Sequence, residues 1–117
     1  MPHVVLLGPA GLQDWVGRFE PFVIREDDLV VRIDRCYRET RDRTALIETL
    51  VVDRGHTQKF FIQVSVREGG LTVRLEPLTD PEKSSGVRRA IALVANQIRR
   101  LTGCQYGSTN LGEYLIR

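Results

Sequence analysis

The fold is decided by residues 80–103, DPEKSSGVRRAIALVANQIRRLTG. Apolar side chains recur in this stretch at spacings of 4, 3, 4 and 3 residues, which places them in one stripe along a helix. They are Val87, Ile91, Val94, Ile98 and Leu101. Asp80 is the predicted N-cap, although the serines and the glycine that follow allow the regular helix to begin only at Ser84 or Ser85. Gly103 suits the left-handed position that ends a helix.

Four β-rich runs precede the helix, at residues 29–38, 44–53, 57–67 and 71–76. The connections between them are short and polar, and connections of this length force neighbouring strands to run antiparallel. The prediction is an α+β fold in which a four-stranded antiparallel β-meander packs on the long C-terminal helix. This layout resembles the helix-grip and TATA-binding-protein-like architectures, in which a curved antiparallel sheet wraps a long C-terminal helix.

The strand register is predicted from the pairing that keeps apolar residues on one face of the sheet. A three-residue loop at 54–56 pairs Leu50 with Phe60, whereas a two-residue loop there breaks the apolar pattern. A two-residue loop at 41–42 sets Ile33 against the same Leu50. These two loops fix which side chains of the meander face the helix.

The inner face of the predicted meander is the face that the long helix covers. Arg35 and Glu48 lie opposite each other on it and form a predicted ion pair, partly buried near the helix edge. The apolar residues of this face are Leu29, Val31, Ile33, Tyr37, Leu46, Leu50, Val52, Phe60, Ile62, Val64, Val66, Leu71, Val73 and Leu75.

Further elements flank the meander and the helix. A short strand is predicted at 3–7, followed by a short helix that buries Trp15 and Phe19 and by a brief strand. The tail at 104–117 is predicted as a loop, because residues 104–112 are rich in small and polar side chains, with a short final strand at 114–116 as the alternative. The 117 residues fit one domain.

Composition and charge narrow the classes of function. The 17 basic and 15 acidic residues give a net charge of +2, which makes no global electrostatic case for nucleic acid or an anionic membrane. Cys36 and Cys104 form no zinc or redox motif, and free thiols in a reducing cytoplasm are expected, with a disulfide between them as the alternative that geometry decides. No N-terminal stretch has the pattern of a signal peptide or a membrane span. The predicted location is the cytoplasm, with no membrane partner.

The outer face of the predicted sheet carries a small apolar area, which is the candidate interface. A fully solvated outer face should alternate more cleanly between apolar and polar residues. The first helix or the tail can cover the area, or a second chain can, most simply in a twofold homodimer that packs sheet on sheet. The first prediction of function is therefore a non-enzymatic protein-interaction module or homodimer. The candidate interface residues are Ala45, Ile47, Val51 and Phe61, with Arg32 and Arg38 on the rim.

Two other functions stay open. One is a carrier of a small apolar ligand, with a pocket between the helix and the sheet near Trp15, Tyr37, Phe60 and Ile98. The other is nucleic-acid binding through two pairs of arginines on the helix, away from the apolar stripe. The same arginines also suit a solvated helix face. These candidate anion-binding residues are Arg88, Arg89, Arg99 and Arg100.

An enzymatic function has the least support from the sequence. Asp53 and His56 flank one hairpin, but no serine, cysteine or second histidine is placed to act with them. Nothing else pairs a nucleophile with a base, a metal with its ligands, or two carboxylates with a pocket. The prediction therefore names no catalytic residue, no cofactor and no metal.

Overall fold

Strands make up most of the regular structure in the computed structural model, which describes residues 1–9, 11–41 and 43–117. Two helices and a 3₁₀ turn accompany the strands. In chain order the elements are β1 (His3–Leu7), α1 (Leu12–Arg18), β2 (Phe22–Glu26), β3 (Leu29–Arg38), β4 (Thr44–Asp53), β5 (His56–Arg67), β6 (Gly70–Leu75), α2 (Ser85–Thr102), β7 (Gln105–Thr109) and the 3₁₀ turn Gly112–Tyr114.

The strands form one seven-stranded antiparallel sheet in the order β2-β3-β4-β5-β6-β1-β7. The sheet curls into a half-barrel around α2. The predicted α+β fold, a four-stranded meander on a long helix, is therefore wrong. The antiparallel pairing of β3, β4, β5 and β6 in chain order is confirmed. The difference lies in three more strands, because β2 extends one edge of this meander and β1 with β7 extends the other.

Strand β7 lies within the tail that was predicted as a loop, so that prediction is wrong at Gln105–Thr109. The segment QYGST has low intrinsic β propensity and becomes a strand because β1 offers it a partner. Leu6 pairs with Tyr106, and Leu7 pairs with Gln105. The alternative of a short final strand at 114–116 is also wrong, because Tyr114 belongs to the 3₁₀ turn and residues 115–117 form no strand.

The turn between β4 and β5 has two residues, Arg54 and Gly55, and not the predicted three. Their φ angles of 51° and 82° are both positive, as in the type I′ turn that suits the twist of a hairpin. Thr49 consequently pairs with Phe60, in the place predicted for Leu50. A shift of one residue turns every side chain of a strand to the other face of the sheet. The predicted inner face is therefore wrong along β4.

A β-bulge in β3 makes a second correction to the register. Cys36 pairs with Ile47, but Ile33 pairs with Thr49 and not with the predicted Leu50, so the two strands shift by one residue between these pairs. The bulge places Tyr37 on the outer face, where its side chain is 45% exposed. The predicted loop at 41–42 includes Asp42, which lies outside the described residues.

Helix α2 starts at Ser85, the later of the positions that the sequence allows. Its N-cap is Ser84, whose Oγ accepts a hydrogen bond from the Val87 backbone N–H at 3.2 Å. Gly103 ends the helix with a φ of 78°, in the left-handed region. No helix in the described ranges is long and apolar enough to cross a membrane.

The inner face of the sheet packs against α2 and α1, and the C-terminal tail also contacts α2. Trp15 of α1 is fully buried, and its Nε1 donates to Oε1 of Gln97 on α2 at 3.1 Å. Nε2 of Gln97 in turn donates to the backbone oxygen of Glu20 at 2.7 Å. Because α1 lies on the helix side of the sheet, it leaves the outer face uncovered.

Candidate functional site

The corrected register brings four apolar side chains together on the outer face of the sheet, which we call the outer patch. Tyr37 pairs with Leu46, and the rings of Tyr37 and Phe61 meet edge to face at a centroid distance of 6.2 Å. The alternate residues of these strands point inward and are buried, so the side chains of the patch point away from α2. The outer patch consists of Tyr37, Leu46, Leu50 and Phe61.

Charged side chains form two rows across the strands at the outer patch. One row is cationic, with Leu50 paired to Arg32 on β3 and to Lys59 on β5. The other row is acidic, with Phe61 paired to Glu48 and followed across the sheet by Glu76, whose N–H donates to the Phe61 oxygen at 2.9 Å. The two rows are about 7 Å apart, because two residues along β4 separate them.

A groove of about 330 Å³ lies between these rows. Leu50 and Phe61 contribute apolar surface to it, and Arg32 and Asp34 form an ion pair at its edge, with 3.3 Å between Nε and Oδ1. Both signs of charge therefore line the groove. Such a surface suits a partner with mixed charge better than a polyanion.

Hydrogen bonds hold both the backbone N–H and the carbonyl oxygen of Phe61. Its oxygen accepts from Glu76, and its N–H donates to Oγ1 of Thr79 at 3.0 Å. The Thr79 N–H is itself bound by Oε1 of Glu76 at 3.0 Å. This turn fixes the strand that presents Phe61, so the ring is placed before any partner arrives.

The predicted inner ion pair is wrong, because Arg35 and Glu48 both belong to the outer side of the sheet. Arg35 lies at the bulge and is exposed. A hydrogen bond with the side chain of Tyr37, and then the charges of Tyr37 and Glu48, raise the pKa of Arg35. The β-bulge and the two-residue turn place Arg35 and Glu48 on the outer side of the sheet. They therefore explain why these two residues are near each other but not buried under the helix.

The predicted interface residues divide between the two faces. Ala45, Ile47 and Val51 are fully buried on the inner face, because the register of β4 is shifted by one residue. Their placement in an outer interface is therefore corrected. Phe61 and Arg32 do lie on the outer face, and Arg38 lies at the exposed end of β3. The residues that the sequence missed there are Tyr37, Leu46 and Leu50, and Gly55 at the second turn position was the signal for them.

Two of the four helix arginines make bonds within the protein. Arg89 donates from Nε and Nη2 to the two carboxylate oxygens of Glu26, at 3.1 and 2.9 Å, and from Nη1 to the Tyr114 oxygen at 2.6 Å. The hydrogen bond from Arg89 lowers the pKa of Glu26. Arg99 donates from Nη2 to the Ile116 oxygen at 3.2 Å. These two arginines tie the tail to α2, whereas Arg88 is partly buried and Arg100 is exposed.

The residues named for an apolar ligand pocket do not line a common space. Trp15, Phe60 and Ile98 are buried in the core, at 0, 3 and 0% exposure. Tyr37 lies on the other side of the sheet. The bulge in β3 accounts for this separation.

Both cysteines are free thiols. Burial raises the pKa of Cys36 to about 11, so at neutral pH nearly all of this thiol is protonated and a poor nucleophile. Within the described residues, no group of three or more His, Cys, Asp or Glu side chains is placed to hold a metal ion.

Comparison with known proteins finds a limited similarity. A tRNA (guanine-N(7)-)-methyltransferase of Aquifex aeolicus (strain VF5) is 34% identical to this chain over 55 residues. The match covers 47% of this chain and 18% of that protein. No family model matches the chain. No solved structure matches it either.

Proposed function

We propose that this protein is a non-enzymatic interaction module whose outer patch binds another protein, most simply a second copy of itself. The observation that supports this proposal is the contact between the rings of Tyr37, which is exposed, and Phe61, which is partly exposed, on a sheet face that α1 leaves uncovered. An apolar centre with a charged rim is the usual anatomy of a protein interface.

The arrangement of charge supports a twofold homodimer. A twofold axis that runs across the strands between the two rows would place the cationic row of one copy over the acidic row of the other. Each strand would then lie over the partner's copy of the same strand, so Arg32 and Lys59 would lie one strand spacing, about 5 Å, to the side of the partner's Glu48 and the partner's Glu76. Leu50 would lie at the same lateral distance from the partner's Phe61. One twofold rotation therefore brings unlike charges near each other and apolar side chains near each other.

Sedimentation velocity over a micromolar concentration series tests the homodimer. The wild type is expected to shift from monomer to dimer, and Phe61→Glu should weaken the dimer at least about tenfold, because it adds a third carboxylate to the acidic row and removes the central ring. Ser108→Glu, an exposed position on β7 away from the patch, is the matched control and should associate as the wild type does.

A charge swap makes the test specific for the two rows. Arg32→Glu should weaken the dimer, and the addition of Glu48→Lys should restore part of the loss, since this pair then again carries unlike charges. A wild type that stays monomeric at every concentration, or a Phe61→Glu variant that dimerises like the wild type, would contradict the proposal.

RNA binding is the second candidate, and the similarity to a protein named as a tRNA methyltransferase favours it. The β3–β4 turn supplies a local basic site, because Arg41 and Arg43 line one groove of about 430 Å³ there. Retention of tRNA on a filter should then fall with salt, and Arg41→Ala with Arg43→Ala should reduce the logarithmic salt slope by about 2. Arg18→Ala with Arg25→Ala is the charge-matched control. Retention that ignores salt would contradict RNA binding.

The cytoplasm remains the proposed location. Both cysteines are free thiols, which suits a reducing compartment.

A further inference from the structure

A second groove, separate from the outer patch, opens between the edge strand β2 and helix α2. Its volume is about 470 Å³, which is within the range of small-molecule sites. Phe22 and Ile24 of β2 form one wall, Leu93 of α2 contributes to the groove from the helix, and Ile116 adds to it from the tail. We call it the β2–α2 groove.

The groove exists because the half-barrel is open on this side. β2 is the last strand of the sheet, so no further strand fills the space between it and α2. Arg89, Leu93, Asn96 and Arg100 follow one another at spacings of 4, 3 and 4 residues, which places them on one face of the helix. That face is about 16 Å long. The Arg89–Glu26 pair and the Tyr114 oxygen join β2, α2 and the tail at one end of it.

The other end of the groove is rich in hydrogen-bond donors. Asn96 is only 8% exposed, and its Oδ1 accepts from Nη2 of Arg99 at 3.0 Å. Nε of Arg99 is buried there without a hydrogen-bond partner within the described part of the chain. Arg100 lines the same end and is exposed. Glu20 contributes one negative charge to the groove lining, and Arg99 and Arg100 contribute two positive charges.

We propose that the β2–α2 groove binds a small carboxylate that carries an unbranched apolar chain. The carboxylate is placed at Asn96 and Arg100, where donors and positive charge meet, and the chain lies along Leu93 and Ile24. A free small molecule fits better than a through-running peptide, because the Arg89–Glu26 pair joins the walls at the far end. This site does not depend on self-association through the outer patch.

Decanoate below its micelle-forming concentration is the probe. Trp15 is the one tryptophan of the chain and bonds to Gln97, which lines the groove, so its fluorescence reports occupancy. Calorimetry and fluorescence should both show saturable binding of one decanoate per chain. Decanol, with the same chain and no charge, should bind at least about tenfold more weakly, because it lacks the charge-assisted hydrogen bonds.

Variants separate this site from other sources of binding. Arg100→Ala should weaken decanoate about tenfold, and Glu20→Gln should strengthen it, because a competing carboxylate is removed. Arg67→Ala, an exposed arginine on β5 outside the groove, should change nothing, and Phe61→Glu should lower self-association without changing decanoate affinity. Circular dichroism verifies that each variant is folded.

Four outcomes would overturn the proposal. They are no saturable binding of decanoate to the folded wild type, equal binding of decanol, an Arg100→Ala affinity equal to that of Arg67→Ala, and binding of a leucine-ending peptide with a free carboxylate when decanoate does not bind. The last outcome would assign the groove to a peptide terminus.

Discussion

Ile47→Asp is expected to unfold the protein, whereas Leu46→Asp should leave it folded. Ile47 is fully buried against α2, so the substitution creates a cavity and places an unpaired carboxylate in it, with a loss of about 4 kcal/mol or more. Leu46 points to the outer face and is partly exposed, so its new carboxylate reaches water. Urea unfolding followed by circular dichroism measures both free energies of unfolding.

The same pair of variants separates the two possible registers of β4. With a three-residue turn at 54–56, Leu46 would face the helix and Ile47 would face water, so the order of the two stabilities would reverse. A folded Ile47→Asp variant beside an unfolded Leu46→Asp variant would therefore contradict the pairing of Thr49 with Phe60.

Gly70→Ala is expected to destabilise the protein by about 3 kcal/mol or more. A Cβ at this position would overlap the backbone oxygen of Leu6 on the neighbouring strand β1. Backbone cannot move aside as the end of a side chain can, so relief requires breaking the pairs of β1 with β6, among them Leu7 with Gly70. Thermal and urea unfolding measure the loss.

Gly17→Ala is the matched control for this prediction. Gly17 lies in α1, and a Cβ there meets nothing within 4 Å. The variant should gain about 0.5–1 kcal/mol, because alanine favours the helix over glycine. A Gly70→Ala variant as stable as the wild type would show that β1 does not lie against β6.

The helical periodicity of apolar residues predicted the positions of both helices correctly. It located α2 with its end at Gly103, and it located α1 with Trp15 buried. The alternation of apolar residues also predicted the inner faces of β5 and β6 correctly. Val66 pairs with Leu71, and both lie on the inner face, as predicted.

The inner and outer faces of β4 were predicted wrongly for a physical reason. Leu46, Leu50 and Val52 are apolar and partly exposed, and Thr49 is polar and buried, so hydrophobicity alone favoured the wrong alternation. Thr49 is accommodated because its Oγ1 donates to the Ile47 oxygen at 3.0 Å. The choice between the registers depended on a single turn residue, Gly55.

Strands β1 and β7 show the limit of local reasoning in another way. β1 was predicted as a strand, but its partners are β6 and β7, far away in the chain, and no short loop signals such pairing. β7 has no alternating apolar pattern. The number of strands in the sheet could therefore not be predicted from local sequence patterns.

The candidate site was found only in part. Phe61 and Arg32 were placed on the outer face, because the face of β5 and the first half of β3 were predicted correctly. Tyr37 was missed because a bulge leaves no clear mark in a sequence of polar and charged residues. Phe61 lies on the outer face as predicted, with Tyr37 in place of the predicted apolar neighbours.

The most direct measurement of self-association through the outer patch is an isotope-filtered NMR experiment on a mixture of labelled and unlabelled protein. The predicted result is a set of intermolecular cross-peaks between the methyl groups of Leu46 and Leu50 in one copy and the rings of Tyr37 and Phe61 in the other. Intermolecular cross-peaks confined to residues outside the outer patch, or none at concentrations where sedimentation shows a dimer, would contradict it.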